Sequence, residues 1–235
     1  LRSELNVFEI EVPLRRIANI MSESSPIVFV AEDELCVSRA FARLIRSAGY
    51  QAEVYDSAGA FLERTSVPSC PACVLLDVQL PDLNGIELQR RVKKELPIIF
   101  VTGHGNIAMT VEAIRAGATD FLTKPVRDTD LLRAIAQALQ LSVQMNDMKR
   151  EMFDIFGRIY SLTLRERQVM DLVVAGLRNK QIAHELGVGE KTIKVHRANV
   201  MQKMGASSLP ELVRLAEKAA DSSEYWPRHD AGCEN

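Results

Sequence analysis

The sequence predicts a doubly wound α/β domain with a five-stranded parallel sheet, followed by a smaller all-helical domain. Three observations carry this. Fully apolar runs recur at residues 27–31, 73–76 and 98–101, and each leads into an acid or a threonine. Between them lie stretches with apolar residues at helical spacing. From Leu162 onward the strand-like runs stop and only short helical patterns remain. A strand buried on both faces of a parallel sheet reads as a continuous apolar run, and that is the form of all three.

Taken in order, Ile27–Ala31 is the first strand and ends at Glu32-Asp33. Residues 35–48 follow as a helix, with Val37, Phe41, Leu44, Ile45 and Ala48 on one face and Gly49 as its stop. Gln51–Tyr55 is a short strand and Ser57–Arg64 a helix. Cys73–Leu76 is the strand that ends at Asp77, and Ile86–Lys94 the helix after it. Ile98–Val101 ends at Thr102; Asn106–Ala116 is helical and closed by Gly117. Asp120–Thr123 is the last strand, ending at Lys124-Pro125, and Asp128–Leu141 the last helix of this part. Residues 142–160 are Met-rich, contain no Gly or Pro before Gly157, and are expected to extend that helix as a linker.

Composition adds limits rather than a function. The chain has 235 residues, 47% hydrophobic and 26% charged, which is ordinary for a globular protein of one large or two modest domains. No apolar run approaches the ~20 residues that span a bilayer, so no membrane association is expected. Residues 26–141 carry 12 Lys and Arg against 14 Asp and Glu, whereas residues 157–220 carry 11 against 6. The basic second part suits a polyanion. Cys70-Pro71-Ala72-Cys73 has the spacing of a redox pair or half a zinc site, but no second ligand pair stands near it. It is read as a loop of small residues before a strand. The chain starts at Leu1, and Met21 opens a polar stretch typical of a cytosolic protein start. Either Leu1 reflects a non-standard start codon or Met21 is the true start; residues 1–25 are expected to lie outside the fold.

Four strand ends deliver Glu32-Asp33, Asp77, Thr102 and Lys124 to one edge of the sheet. Carboxylates that converge repel each other unless a cation sits between them. Mg²⁺ fits, since it takes oxygen ligands from one or two carboxylates and keeps several waters. Such an ion and Lys124 together would neutralise a phosphoryl group arriving at Asp77, and the Thr102 hydroxyl could donate a hydrogen bond to it. A single strand-end aspartate could equally be a turn cap. Glu34 and Asp82 are read as solvated loop acids without a role, and His104 as a residue of the loop after Thr102.

The runs Val28–Glu34, Leu75–Gly85, Val101–Gly105 and Phe121–Pro125 resemble a response-regulator receiver domain, within that family the FixJ-like group. The resemblance implies that Asp77 is phosphorylated and that Asp33 is the main metal-binding acid, with Glu32 beside it. The main-chain carbonyl of Gln79 would complete the metal contacts. Thr102 and Phe121 would be the switch pair and Lys124 the phosphate-contacting cation. The family often has two aspartates where this chain has Glu32-Asp33. Glutamate is one methylene longer, so a water-mediated contact is expected there.

In the second part, Thr163 is an N-cap with Glu166 three residues on, the capping-box spacing. Val169, Leu172, Val173 and Ala175 follow, and Gly176 stops the helix. Asn179 opens the helix 180–186, which ends at Gly187-Val188-Gly189; Glu190–Met204 follows. Two helices joined by a tight Gly-containing turn form a helix-turn-helix. Ile193, Val200 and Met204 share one face of the second helix, with His196 and Arg197 at its edges. Lys191, Val195, Ala198 and Gln202 lie opposite, flanked by Lys194 and Asn199. A narrow core face with a basic, small-residue outer face suits the major groove. The run Leu162–Met204 resembles a LuxR-type DNA-binding domain. The resemblance implies base contacts around Lys194, Val195 and Ala198 and phosphate contacts from Lys191 and Thr192, with Arg197 and Asn199 in the same surface. Some relatives carry a long basic residue at the position of Ala198. His196 is expected to be packed, His184 to lie on the scaffold helix, and 209–220 to form a fourth helix that helps dimerisation.

Together the two resemblances imply a cytoplasmic, non-enzymatic transcription factor of a two-component system. A sensor histidine kinase would phosphorylate Asp77 with Mg²⁺, and a homodimer would then bind double-stranded DNA and engage RNA polymerase. The expected layout is an extension at 1–25, a receiver at 26–141, a linker at 142–156, the DNA-binding domain at 157–222 and a tail at 223–235. A hydrolase of the haloacid-dehalogenase type also uses a strand-end aspartate, but needs another acid two residues on, where this chain has Gln79. No G-x-x-x-x-G-K run occurs, which excludes a P-loop enzyme. A third reading keeps the DNA-binding part but makes the first part a phosphorylation-independent dimerisation module.

Overall fold

The computed structural model describes residues 25–64, 68, 70–92, 95–103 and 107–221. The extension up to Ser24, His104, Asn106 and the tail with Cys233 lie outside the described residues. The chain divides into two compact units, Leu1–Asn146 and Asp147–Asn235.

The first unit is built on strands β1 (Ile27–Ala31), β2 (Gln51–Tyr55), β3 (Ala72–Leu76), β4 (Ile98–Thr102) and β5 (Asp120–Thr123), all parallel, in the order β2-β1-β3-β4-β5. Helices α1 (Leu35–Ser47), α2 (Ala58–Leu62), α3 (Gly85–Val92), α4 (Ile107–Arg115) and the first part of α5 (Asp128–Tyr160) connect and cover them. Side chains alternate between the faces of a strand. Phe29, Val74, Leu76, Ile98 and Phe100 therefore pack to one side with Phe61 and Leu88, while Val28, Val30, Leu75, Ile99 and Val101 pack to the other with Ile45, Leu131, Ile135 and Leu139. Each large apolar side chain buried in this way contributes about 1.5–3 kcal/mol. Two covered faces explain why β3 and β4 are buried at every position and apolar throughout up to Thr102, the last residue of β4. The outer strand β2 is covered less and leaves Val54 exposed.

Element bounds differ from the expected ones by a residue or two. The helix expected at Ser57–Arg64 is the shorter Ala58–Leu62, because Ser57 stays extended and its side chain accepts a hydrogen bond from the Ala60 N–H. Strand β3 starts at Ala72, one residue before the expected Cys73, and Cys36, Cys70 and Cys73 are free thiols. Burial pushes the Cys73 thiol pKa up, which leaves it unreactive. Helix α5 continues unbroken to Tyr160. Ser142, at the start of the expected linker, is buried and accepts a hydrogen bond from the Ala72 N–H (3.0 Å).

The second unit holds the C-terminal part of α5 and helices α6 (Leu164–Val174), α7 (Asn179–Glu185), α8 (Glu190–Met204) and α9 (Leu209–Asp221). Its core joins Ile155, Ile159 and Leu162 to Val169, Val173, Ile182, Ile193, Val200, Met204 and Leu212. Asn179 is the first residue of α7 rather than its cap; the Arg178 N–H before it donates to the Gln181 side chain. Among the described residues no helix is long and apolar enough to cross a membrane.

The Thr163–Glu166 capping box is present in both directions. Glu166 is buried and also accepts a bond from Lys203 of α8 (2.6 Å). That bond, with the bond from the Thr163 N–H, holds the Glu166 carboxyl down at about 2. A depressed carboxyl contributes stability above its unfolded value near 4.5 and loses it as pH falls through about 2. Glu166→Gln, which removes the charged partner of Lys203, is therefore expected to destabilise this unit by about 1–3 kcal/mol at neutral pH, with the difference from the unaltered protein shrinking from pH 4.5 towards 2. Thermal melts across that pH range check it. A deficit that persists unchanged at pH 2 contradicts the assignment.

Candidate phosphoryl-accepting site and nucleic-acid interface

Parallel strands end at a common edge, and ligands of such sheets gather where the strand order reverses. Here that point lies between β1 and β3. Ala31 of β1 pairs with Leu76 of β3, so the next residues, Glu32 and Asp77, leave the sheet side by side. The Asp77 N–H donates to the Ala31 carbonyl (2.9 Å) and the Glu32 N–H to the Tyr55 carbonyl (2.9 Å), which fixes both backbones. Across the sheet, Thr102 pairs with Thr123, and the Lys124 N–H donates to the Thr102 carbonyl (2.9 Å).

The Lys124 ammonium reaches back over β4 to donate to Glu32 Oε2 (2.6 Å) and Asp77 Oδ2 (2.8 Å). Glu32 is 2% exposed and Asp77 7%, so one cation serves two buried carboxylates. Burial pushes the Glu32 carboxyl up, and Lys124 does not bring it back because it is shared and Asp77 repels from beside it. Burial works to lower the Lys124 pKa, but its bonds to Asp77 and Glu32 outweigh that and raise it. The lysine stays charged and the pocket remains short of positive charge.

That shortage matches a divalent cation. Oxygen atoms of Glu32, Asp33 and Asp77 all lie within 4.8 Å of one another. Opposite oxygens around Mg²⁺ stand about 4.2 Å apart, and the ion prefers such hard donors. Glu32 and Asp77 are buried whereas Asp33 is exposed, an arrangement that leaves room for water on the Asp33 side. Glu32 does more than stand beside Asp33: it accepts bonds from Lys124 and from the Glu34 N–H (3.3 Å).

The segment after Asp77 turns tightly. The Gln79 N–H donates to Asp77 Oδ1 (2.9 Å), Gln79 pairs with Asn84, and the Gly85 N–H donates to the Val78 carbonyl (2.9 Å). This pairing bond uses the carbonyl of Val78, not that of Gln79. Asp82, read from sequence as a solvated loop acid, is exposed but bound: its oxygens accept from the Ala58 N–H (3.0 Å) and the Gly59 N–H (2.7 Å). Those bonds, Gly59's first, hold its carboxyl below the usual range. No local pattern could have revealed partners 23 and 24 residues away. Thr102 is buried at the end of β4, and Phe121 of β5 is half-buried against Phe100 (ring centroids 6.1 Å apart).

In the second unit, α7 and α8 are joined by a turn in which the Val188 N–H donates to the Ala183 carbonyl (3.0 Å). Along α8, Ile193, Val200 and Met204 are buried, while Lys191, Thr192, Lys194, Val195 and Ala198 are exposed. Val195 is 56% exposed, an apolar residue left on an otherwise polar face. Lys194 makes a loose i,i+4 pair with Glu190 (3.7 Å), which solvent screens. Asn199 is half-buried. Arg197 is held inward by Asn179 of α7 (3.0 Å) and so braces the two helices.

Comparison with known proteins agrees with both halves. The family model "Response regulator receiver domain" matches residues 28–136, and "Bacterial regulatory proteins, luxR family" matches residues 160–216. The response regulator protein TodT of Pseudomonas putida is 42% identical over 207 residues, covering 87% of this chain and 91% of that protein. The transcriptional regulatory protein FixJ of Bradyrhizobium diazoefficiens is 42% identical over 196 residues, covering 82% and 95%. Among solved structures, the response regulator StyR shares 44% identity at a TM-score of 0.70, over 83% of this chain and all of that one. With its flavodoxin-like parallel sheet and helical C-terminal unit, this chain belongs to the transcriptional response regulators that join a receiver domain to a LuxR-type DNA-binding domain.

Proposed function

We propose that a sensor histidine kinase phosphorylates Asp77 and that this drives dimerisation and sequence-specific binding to double-stranded DNA. The observation that carries the reading is the cluster of Glu32, Asp33 and Asp77 oxygens under a single shared lysine. In the transfer, the P–N bond of a phosphohistidine breaks while an O–P bond forms on the Asp77 carboxylate. Glu32, Asp33, Asp77 and the Gln79 carbonyl would hold Mg²⁺, which would supply positive charge to offset that of the incoming phosphoryl oxygens. Lys124 exchanges its bond to Asp77 for one to the new phosphoryl group, and Glu32 keeps it oriented.

The output is a population shift. Thr102 moves to hydrogen-bond the phosphoryl group and Phe121 follows inward. The surface formed by α4, β5 and the start of α5 then becomes self-complementary, and two copies present two α8 helices to a two-fold operator. Lys191 and Thr192 contact phosphates; Lys194, Val195 and Ala198 face base edges, with Asn199 and Arg197 at the rim. Arg197 reaches DNA only if it leaves or shares its bond to Asn179. The proposed layout is a receiver at 26–141, a linker at 142–156 and a DNA-binding domain at 157–222, acting in the cytoplasm and recruiting RNA polymerase.

The test uses the full chain and a duplex selected from a random pool. Affinity is measured with and without phosphoramidate and Mg²⁺ at one fixed salt concentration, because phosphate contacts make binding salt-dependent. Phosphorylation is expected to tighten binding about tenfold or more, within the usual range of allosteric coupling. Equal affinity in the two states would instead favour a receiver that dimerises without phosphate.

A further inference from the structure

Resting on the reading of the pocket as a Mg²⁺ site, we propose that Asp82 is a positioning residue that holds the Gln79 segment in its metal-binding geometry by clamping the loop after β3 to the start of α2. The loop from Asp77 to Gly85 is tied at both ends, by Asp77 at the end of β3 and by Asn84, whose side chain accepts from the Ile86 N–H (2.9 Å) at the start of α3. Between these ties Gln79 is held from within the same loop, by its bridge to Asn84 and by the bond from its N–H to Asp77 Oδ1 (2.9 Å). Asp82, three residues beyond Gln79, supplies an anchor outside the loop, with one carboxylate oxygen on Ala58 N–H and the other on Gly59 N–H.

The anchor fits its target. A helix begins with N–H groups that have no partner inside it. In α2 the Ser57 side chain takes the Ala60 N–H, and Asp82 takes the two before it. A Cβ on Gly59 would stand 3.1 Å from Asp82 Oδ2, so glycine admits the carboxylate at this distance. The helix is itself rigidly seated. Ala58 and Phe61 are fully buried, and the Phe61 ring packs edge-on against Phe29 of β1 (5.8 Å) and Tyr55 of β2 (5.4 Å). Strand β1 is also the strand whose end carries Glu32 and Asp33. Asp82 thus references the Gln79 backbone to the same framework that holds the metal-binding acids, although it is too far along the loop to be counted among the ligands. Groups that orient metal ligands from behind typically change metal affinity about 10–100-fold when removed.

The experiment measures Mg²⁺ affinity of the full chain by amide chemical-shift titration, and separately the Mg²⁺ dependence of labelling by phosphoramidate. Asp82→Ala is expected to weaken Mg²⁺ binding about tenfold and to shift the half-saturating concentration for labelling equally, while the rate at saturating Mg²⁺ stays within about twofold. Asp82→Asn keeps one acceptor oxygen and should show a smaller shift in the same direction. Gly59→Ala, which crowds the carboxylate without altering the loop, should reproduce part of the loss. Unchanged Mg²⁺ affinity in Asp82→Ala or Asp82→Asn overturns the proposal, as does a loss of rate that saturating Mg²⁺ does not restore. If the unaltered protein itself shows no Mg²⁺-dependent shifts around Asp77, the metal-site reading falls, and that result is distinct from a failure of Asp82 alone.

Discussion

Asp77→Asn is expected to take up no phosphoryl label from phosphoramidate with Mg²⁺, a loss of at least about a thousandfold, because the substitution removes the nucleophilic oxygen and nothing else in the pocket is placed to replace it. Glu32 is buried, and its two oxygens are occupied by Lys124 and by the Glu34 N–H. Asp33 is exposed and stands on the solvent side of the cluster. The variant should fold normally. Asparagine has nearly the volume of aspartate and retains an acceptor for the Gln79 N–H, and removing one of two carboxylates around a single lysine relieves repulsion. Its melting temperature is therefore expected to equal or exceed that of the unaltered protein. Label at the normal rate in a folded Asp77→Asn chain would place the acceptor elsewhere.

Gly85→Ala is expected to disable the same site without touching a carboxylate. A Cβ at this position would stand 2.6 Å from the Asp77 carbonyl oxygen, 3.0 Å from Val78 Cα and 3.1 Å from Phe100 Cε1. Two of these are backbone atoms and the third belongs to a fully buried ring, so none can swing aside. The loop must move away from the end of β3, and the Gly85–Val78 bond opens with it. Overpacking of this kind costs about 3 kcal/mol, which for a domain of this size lowers the melting temperature of the receiver unit by more than about 10 °C. Because the displaced carbonyl belongs to Asp77, labelling should slow even in the folded fraction. Calorimetry combined with labelling below the transition checks both effects; an unchanged receiver transition would mean that the loop is softer than these contacts indicate.

The two parts of the chain were legible from sequence to different depths. The outer strands β2 and β5 were placed by their position between the other elements. Strands β1, β3 and β4 were readable because a strand covered on both faces is apolar nearly throughout, and the helices because an amphipathic helix has to repeat near every fourth residue. These are local demands that residues such as Val74-Leu75-Leu76 and Ile98-Ile99-Phe100 meet by themselves. The capping box at Thr163 and Glu166 was readable for the same reason, since its partners are three residues apart. The strand ends also announced Asp77, Glu32, Asp33, Thr102 and Lys124 as a set, once their motifs were seen to resemble a receiver.

What the tertiary structure decided is how that set is wired. The register of Ala31 on Leu76 makes Glu32 and Asp77 neighbours, and only the position of β5 two strands away brings Lys124 between them, 92 residues from Glu32. Asp82 looked like a loop acid until α2 was in place to receive it, and Arg197, expected at the edge of the helix's core face and in the DNA-binding surface, is turned to Asn179 of α7. The reason is physical. Periodicity and motif spacing report what a residue needs from its immediate backbone and from burial, whereas a hydrogen bond across 18 or 92 residues depends on where two separately folded backbones are held. The sequence by itself determined which groups meet at the sheet edge; the packed sheet determined that a single lysine is shared there by two buried acids.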